Sequence, residues 1–268
     1  MRKILFVFFS LLLSSHAHSQ NLSALGKWTN TSDKTIDHSE WAIILETYVD
    51  ANTEDGVNRF FYSEVTGPDK KRLKSYIKFL AQIDPTALNK EESFAYWANL
   101  YNALTVDLIL DNYPIESIKD IKPSVFAFGP WKMDVVKVSG QELSLDDIEH
   151  GILRAYWTDA RIHYAVNCAS IGCPNLRAVP FSGQSLERDL ESAARAYINH
   201  PRGAHVDSEG RLILSSIYDW YSDDFGESDS AIIAHLSLYA DDDLASKLSS
   251  IKKIHNYNYD WSLNIANP

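Results

Sequence analysis

The stretch from Phe94 to Leu110 constrains this chain more than any other. Apolar and aromatic residues run through it with few interruptions, among them Phe94, Tyr96, Trp97, Leu100, Tyr101, Leu104, Val106 and Ile109. A helix apolar on nearly every face persists in water only when other elements surround it. Asn89-x-x-Glu92 resembles a capping box at its start, and Asn112-Tyr113-Pro114 stops it. The spacing therefore predicts a central, buried helix over 90–111. Asn99 and Asn102 lie one turn apart inside it. Buried amides need partners, so these two either brace neighbouring backbone or face a site.

The flanks supply the wrapping. A helix starts near Asp37 or Ser39, with Trp41, Ile44, Leu45 and Tyr48 at helical spacing. Pro68 opens another, with Leu73, Tyr76, Ile77, Leu80 and Ile83 on one face. Lys132 to Val138 reads as a strand entering a turn at Ser139-Gly140. Ser144-x-x-Asp147 caps a helix running to about Tyr156. Ile162 to Cys168 alternates like a central strand, and 169–184 reads as a long loop. Ser185 caps a helix to about Asn199, and His205-Val206 with Leu212–Leu214 around Gly210 suggests a hairpin. Short helices come next, then an extended piece before Tyr259. Helices dominate and strands are few, so the expected class is α+β: a helix-rich single domain over 39–268 with a small, mainly antiparallel sheet, behind a mobile lead-in at 20–38.

The first nineteen residues read as a signal peptide. Arg2 and Lys3 precede an apolar run from Ile4 to Leu13 broken only by Ser10, and Ala17-His18-Ser19 is placed like a cleavage site. The run is shorter than the ~20 apolar residues a bilayer span needs, so no stable membrane anchor is expected. The expected location is periplasmic or extracellular. Losing Arg2 and Lys3 takes the formal net charge from −11 to −13. Such a surface repels phosphate backbones and argues against nucleic acid as a partner.

Chemistry concentrates between Leu145 and Cys173. Leu145, Ile148, Ile152, Leu153 and Tyr156 make one apolar stripe, and at the helical advance per residue Glu149 falls inside it. A carboxylate there is either paired in the core or points into a cavity. His150 sits at the edge of that face, with Arg154 opposite. On the expected strand His163, Ala165 and Asn167 share one side. Cys173 is then a candidate thiolate nucleophile, with His163 or His150 as base and Glu149 as the orienting group. Asn102 and Asn167 offer further polar contacts, and Ser170 is a second candidate nucleophile. The other reading of the two cysteines, Cys168 and Cys173, is a disulfide or an inert buried pair, since an exported chain meets an oxidising compartment. No metal site is expected, because the chain lacks paired Cys-x-x-Cys or His-x-x-x-His spacing, and it has no glycine-rich phosphate loop.

Several ordered segments carry a family resemblance: Phe94–Thr105, Leu143–His150, Arg161–Ser170 with Cys173-Pro174, and Tyr218–Tyr221 with Asp224-Phe225. Together they resemble the domain-of-unknown-function 547 family over about residues 85–226. The resemblance implies no activity. It does mark Glu149, His150, Arg161, His163 and the two cysteines as lying in signature blocks, and Arg161 joins the binding candidates on that ground. The resulting expectation is a polar Glu/His/Cys pocket on an exported protein. That pocket takes a small-molecule, peptide or glycan ligand; if the protein is an enzyme, hydrolysis or acyl transfer on an envelope or extracellular substrate fits best, because it needs no cofactor. The alternative is a non-catalytic binding or scaffolding domain closed by a Cys168–Cys173 disulfide.

Overall fold

The computed structural model describes residues 22–124 and 127–266. The charged and apolar leader, with its cleavage region up to Gln20, lies outside the described residues.

Helix α1 (Ser39–Tyr48) buries Trp41, Ile44, Leu45 and Tyr48. Strands β1 (Val49–Asp50) and β2 (Arg59–Phe60) form an antiparallel pair after it. Helix α2 (Gly67–Ala81) starts where the Thr66 hydroxyl accepts from the Asp69 amide and Pro68 occupies the first turn. Helix α3 (Lys90–Asn112) is the buried centre. The Asn89 side chain caps it by accepting from the Glu92 amide at 2.8 Å. The Glu92 carboxylate does not reach back to Asn89. It accepts instead from the amides of Ile36 and Gly183, so only half of the expected capping box forms. The segment expected as a mobile lead-in is packed from residue 22 onward: Leu25 is buried, Trp28 meets Trp157 at 5.2 Å, and Glu92 holds the Ile36 amide.

Strands β3 (Val136–Val138) and β4 (Gln141–Leu143) form a hairpin whose turn residues Ser139 and Gly140 both have positive φ. Ser144 and Asp147 then cap reciprocally, the hydroxyl accepting from the Asp147 amide and the carboxylate from the Ser144 amide. The cap opens a widened π-helical turn over Asp147–Leu153 that runs into α4 (Arg154–Tyr156). Widened turns of this kind recur at functional sites.

The expected strand at Ile162–Cys168 is instead the short helix α5 (Ile162–Ala165), with the chain turning extended at Val166. A short apolar run satisfies either period, and tertiary partners decide it. Here Asp159 accepts from the Arg161 amide at the start of the turn, and Asn102 of α3 takes the Asn167 amide at its end. Helix α6 (Leu186–Ile198) leads to β5 (Ala204–Val206) and β6 (Leu212–Ser215), an antiparallel hairpin. Helices α7 (Ile217–Trp220), α8 (Asp229–Tyr239) and α9 (Asp242–Leu248) come next. Strand β7 (Ile254–Asn258) then lies parallel to β6. The fold is the expected helix-rich α+β domain; among the described residues the strands are divided among three small sheets, and antiparallel pairing predominates.

Two apolar clusters result. The larger surrounds α3, and the smaller gathers Tyr164, Tyr197, Tyr218, Phe225 and Leu236. Helix α5 lies between them: Ile162 belongs to the first, Tyr164 to the second, and His163 faces the cavity at their junction. Trp97 is fully buried in the larger cluster. Trp97→Ala is expected to lower unfolding stability by about 3–5 kcal/mol, as large core truncations do, in urea titrations followed by circular dichroism. Wild-type-like unfolding of that variant would contradict the central position of α3.

Candidate active site

A cavity of about 470 Å³ opens at this junction. Its walls carry Glu149, His150, His163, Cys168 and Cys173, facing an aromatic side made by Trp131, Trp220, Tyr259 and Trp261. The indoles of Trp220 and Trp261 stack at 5.5 Å, and Tyr259 lies 4.6 Å from Trp261.

The thiols are positioned by two clamps. One is side-chain amides: Asn102 donates to the Ala165 carbonyl and accepts from the Asn167 amide, while Asn167 donates to the Pro174 carbonyl and accepts from the Ala169 amide. Both asparagines thus brace backbone. The other clamp is the C-terminal segment. Gly172 donates to the Asp260 carbonyl and Ile171 to the Ser262 carbonyl, each at 2.8 Å, and Asn264 donates to the Ala169 carbonyl. A Cβ on Gly172 would come within 2.9 Å of the Asp260 backbone, so close approach is what demands glycine here.

This arrangement sets the sulfur chemistry. The two Sγ atoms lie 2.6 Å apart, and both cysteines are free. Cys173 Sγ accepts from the Cys168 amide at 3.0 Å and from the Tyr259 hydroxyl at 3.1 Å, with the Ser170 hydroxyl at 3.5 Å. Burial works against a thiolate on Cys173, but donors from Cys168, Ser170 and Tyr259 outweigh it and hold that thiol low, at about 6. The same pairing with Cys173, with burial added, pushes Cys168 well up. The two sulfurs are shifted in opposite directions, Cys173 toward the thiolate and Cys168 toward the thiol.

The opposite wall is ionic. Glu149 is 6% exposed, accepts from the Tyr101 hydroxyl at 3.0 Å and stands 3.9 Å from His163 Nδ1. His163 Nε2 meets Asp224 at 2.6 Å, and its ring stacks on Tyr221 at 4.2 Å. Burial raises the Asp224 carboxyl, but hydrogen bonds from His163 and Arg154 overcome it and hold the group down at about 2. His150 stands within 3.7 Å of Asp146, at the cavity edge.

Of the residues singled out from sequence, Glu149, His150, His163, Cys168 and Cys173 come together on the cavity wall. Ser170 is buried beside the sulfurs, 2.9 Å from the Tyr259 hydroxyl. Asn102 and Asn167 sit behind the wall with their amides spent on backbone. Arg161 is elsewhere, locked to Asp159 and Glu187. Arg154, expected on the far side of its helix, instead reaches Asp223, Asp224 and His150, because a π turn advances fewer degrees per residue than an α turn. Sequence reasoning gave no role to Tyr101, Tyr221, Asp224 or Tyr259. Tyr101, Tyr221 and Asp224 stand in segments that carry the resemblance, but nothing local tells that they meet residues tens of positions away. Among the described residues no group of three His, Cys, Asp or Glu side chains is arranged to hold a metal ion.

Residues 85–198 match the family described as Protein of unknown function, DUF547. The chain is similar to that family over this segment, which contains α3, the π turn, α5, both cysteines and α6. Tyr221, Asp224 and Tyr259 lie beyond it. No curated protein and no solved structure matches the chain.

The hydrogen bonding predicts a pH profile. Only the thiolate attacks alkylating reagents, so carbamidomethylation of Cys173 should rise with pH through about 6 and level off above it. Peptide mapping of pulse-labelled, reduced protein measures this. A midpoint in the ordinary thiol range near 8.5 would show that the donors do not stabilise the thiolate.

Proposed function

We propose that the chain is an exported thiol enzyme that performs acyl transfer or hydrolysis on an envelope or extracellular substrate, with Cys173 as the nucleophile. The observation that carries this reading is the convergence of hydrogen-bond donors on Cys173 Sγ at the wall of a cavity shared with His163 and Glu149. The Cys173 thiolate attacks a carbonyl carbon, and the electron pair of the C=O moves to oxygen. Collapse of that oxyanion breaks the bond to the leaving group, which takes a proton from His163. The product is a thioester on Cys173. Water, or a second acceptor, gives its proton back to His163 and displaces the sulfur. Asp224 and Glu149, one toward each ring nitrogen, orient the imidazole. The aromatic side suits a ligand with a flat or apolar face: a small molecule, a peptide or a glycan. The N-terminal leader supports export, and among the described residues no helix is long and apolar enough to cross a membrane.

The rival is a non-catalytic binding or scaffolding domain, and the 2.6 Å approach of the sulfurs favours it if the exported pair proves quantitatively oxidised. One experiment separates the two. Chain recovered from the exported fraction is reacted with p-nitrophenyl esters of graded acyl length and analysed by intact mass and peptide mapping. The reading expects an N-terminus between about residues 17 and 20, free thiols, and an acyl adduct on Cys173 that His163→Ala alters in turnover and Cys173→Ala abolishes. Intact Met1, an adduct on Ser170, or no adduct on reduced Cys173 across the series contradicts it.

A further inference from the structure

Acyl transfer needs one sulfur, yet the cavity wall carries two. We propose that Cys168 is the resolving thiol of a dithiol centre, so that the cavity also reduces disulfide-bearing ligands by thiol–disulfide exchange. The inference rests on the reading of Cys173 as nucleophile and adds a second kind of electrophile, a disulfide sulfur, to the carbonyl carbon.

Three observations carry it. The Sγ atoms are 2.6 Å apart on residues five positions apart in the chain, so a covalent adduct on Cys173 forms directly beside the Cys168 sulfur. The Tyr259 hydroxyl touches both sulfurs, at 3.1 Å and 3.2 Å, and Ser170 lies beside both. The same donors can therefore stabilise charge as it moves from one sulfur to the other. Both sulfurs also face the cavity beneath Trp220 and Tyr259, whose rings are 4.8 Å apart, so a disulfide flanked by a flat aromatic or apolar group can lie against that wall with its sulfurs at the thiols.

The sequence of steps balances. The Cys173 thiolate attacks one sulfur of R–S–S–R′, forming the Cys173–S–S–R bond and expelling R′–S⁻. Cys168 passes its proton to R′–S⁻, and its thiolate attacks Cys173 Sγ. The Cys168–Cys173 bond forms, the bond to R breaks, and R–S⁻ leaves to be protonated by solvent. The ligand disulfide is reduced to two thiols while the cysteine pair is oxidised to a disulfide. A separate reductant, a dithiol such as dithiothreitol, resets the centre.

The test uses the full reduced chain and an aromatic disulfide, 5,5′-dithiobis(2-nitrobenzoic acid), at one equivalent and about pH 6.5, where thiolate fraction separates the sulfurs. Wild type should release both aryl thiolates and end as an internal disulfide, lighter by two hydrogens than the reduced chain. Cys168→Ser should release one and keep the aryl group on Cys173. Cys173→Ser should react roughly tenfold more slowly than Cys168→Ser, in line with its small thiolate fraction at that pH. An aryl group retained on wild-type Cys173, or a Cys173→Ser variant as fast as Cys168→Ser, overturns the inference. If the internal disulfide forms as described but no acyl adduct ever does, the acyl-transfer reading fails and the dithiol centre stands. If acylation proceeds and the aryl adduct is never resolved, only the dithiol centre fails.

Discussion

The site depends on one long-range pairing, the main-chain hydrogen bonds between Ala169–Gly172 and Asp260–Asn264. The C-terminal segment also binds Phe60 through Asn264 and Ala266, and Glu116 through Leu263, so it ties two other parts of the chain to the cysteine loop. Tyr259, just before that segment, places a hydroxyl within 3.2 Å of both sulfurs and of Ser170. Tyr197 and Arg202 hold the loop from the other side through the Gly172 and Ile171 carbonyls. Loops carry chemistry well when rigid elements hold them, and here the rigidity is supplied from residues some ninety positions away.

Electrostatics divides the cavity into two halves that solve the same problem differently. A buried charge costs several kcal/mol unless it is paired or hydrogen-bonded. On one wall the carboxylates of Glu149 and Asp224 are matched by Tyr101, Arg154 and the His163 ring. On the other wall no cation among the described residues touches Cys173 Sγ, and neutral donors do the work: an amide, two hydroxyls and a thiol. Hydroxyl and amide donors leave the sulfur polarised toward the cavity and unencumbered by an ion pair. That suits a nucleophile better than a structural charge.

Much of this was legible in the sequence where the governing forces are local. The all-round apolar helix, the Ser144–Asp147 cap, the hairpin at Gly210 and the anomalous Glu149 on an apolar stripe are all readable from spacing alone. The failures are equally physical. Ile162–Cys168 fits period two, but the Ile162 amide bonds the Asp159 carbonyl and Asn102 takes the Ala165 carbonyl and the Asn167 amide, so a turn of helix forms. His163 therefore faces the cavity for a reason unlike strand alternation. The π turn rotates Arg154 toward Asp224, which a regular helical wheel places opposite. Tyr259 and Asp224 carry no local signal of their partners, because pairing across long separations is set by the fold.

The central claim is that the C-terminal segment builds the thiolate site. Gly172→Ala tests it most directly, since the added Cβ would meet the Asp260 backbone at 2.9 Å and push that segment off the loop. Ultraviolet thiolate absorbance, titrated beside hydrogen exchange at 259–264, is the measurement. The expected result is faster exchange there and a Cys173 midpoint moved up from about 6 toward about 8.5, the ordinary thiol value. A loosened segment with the midpoint still at about 6 would contradict it.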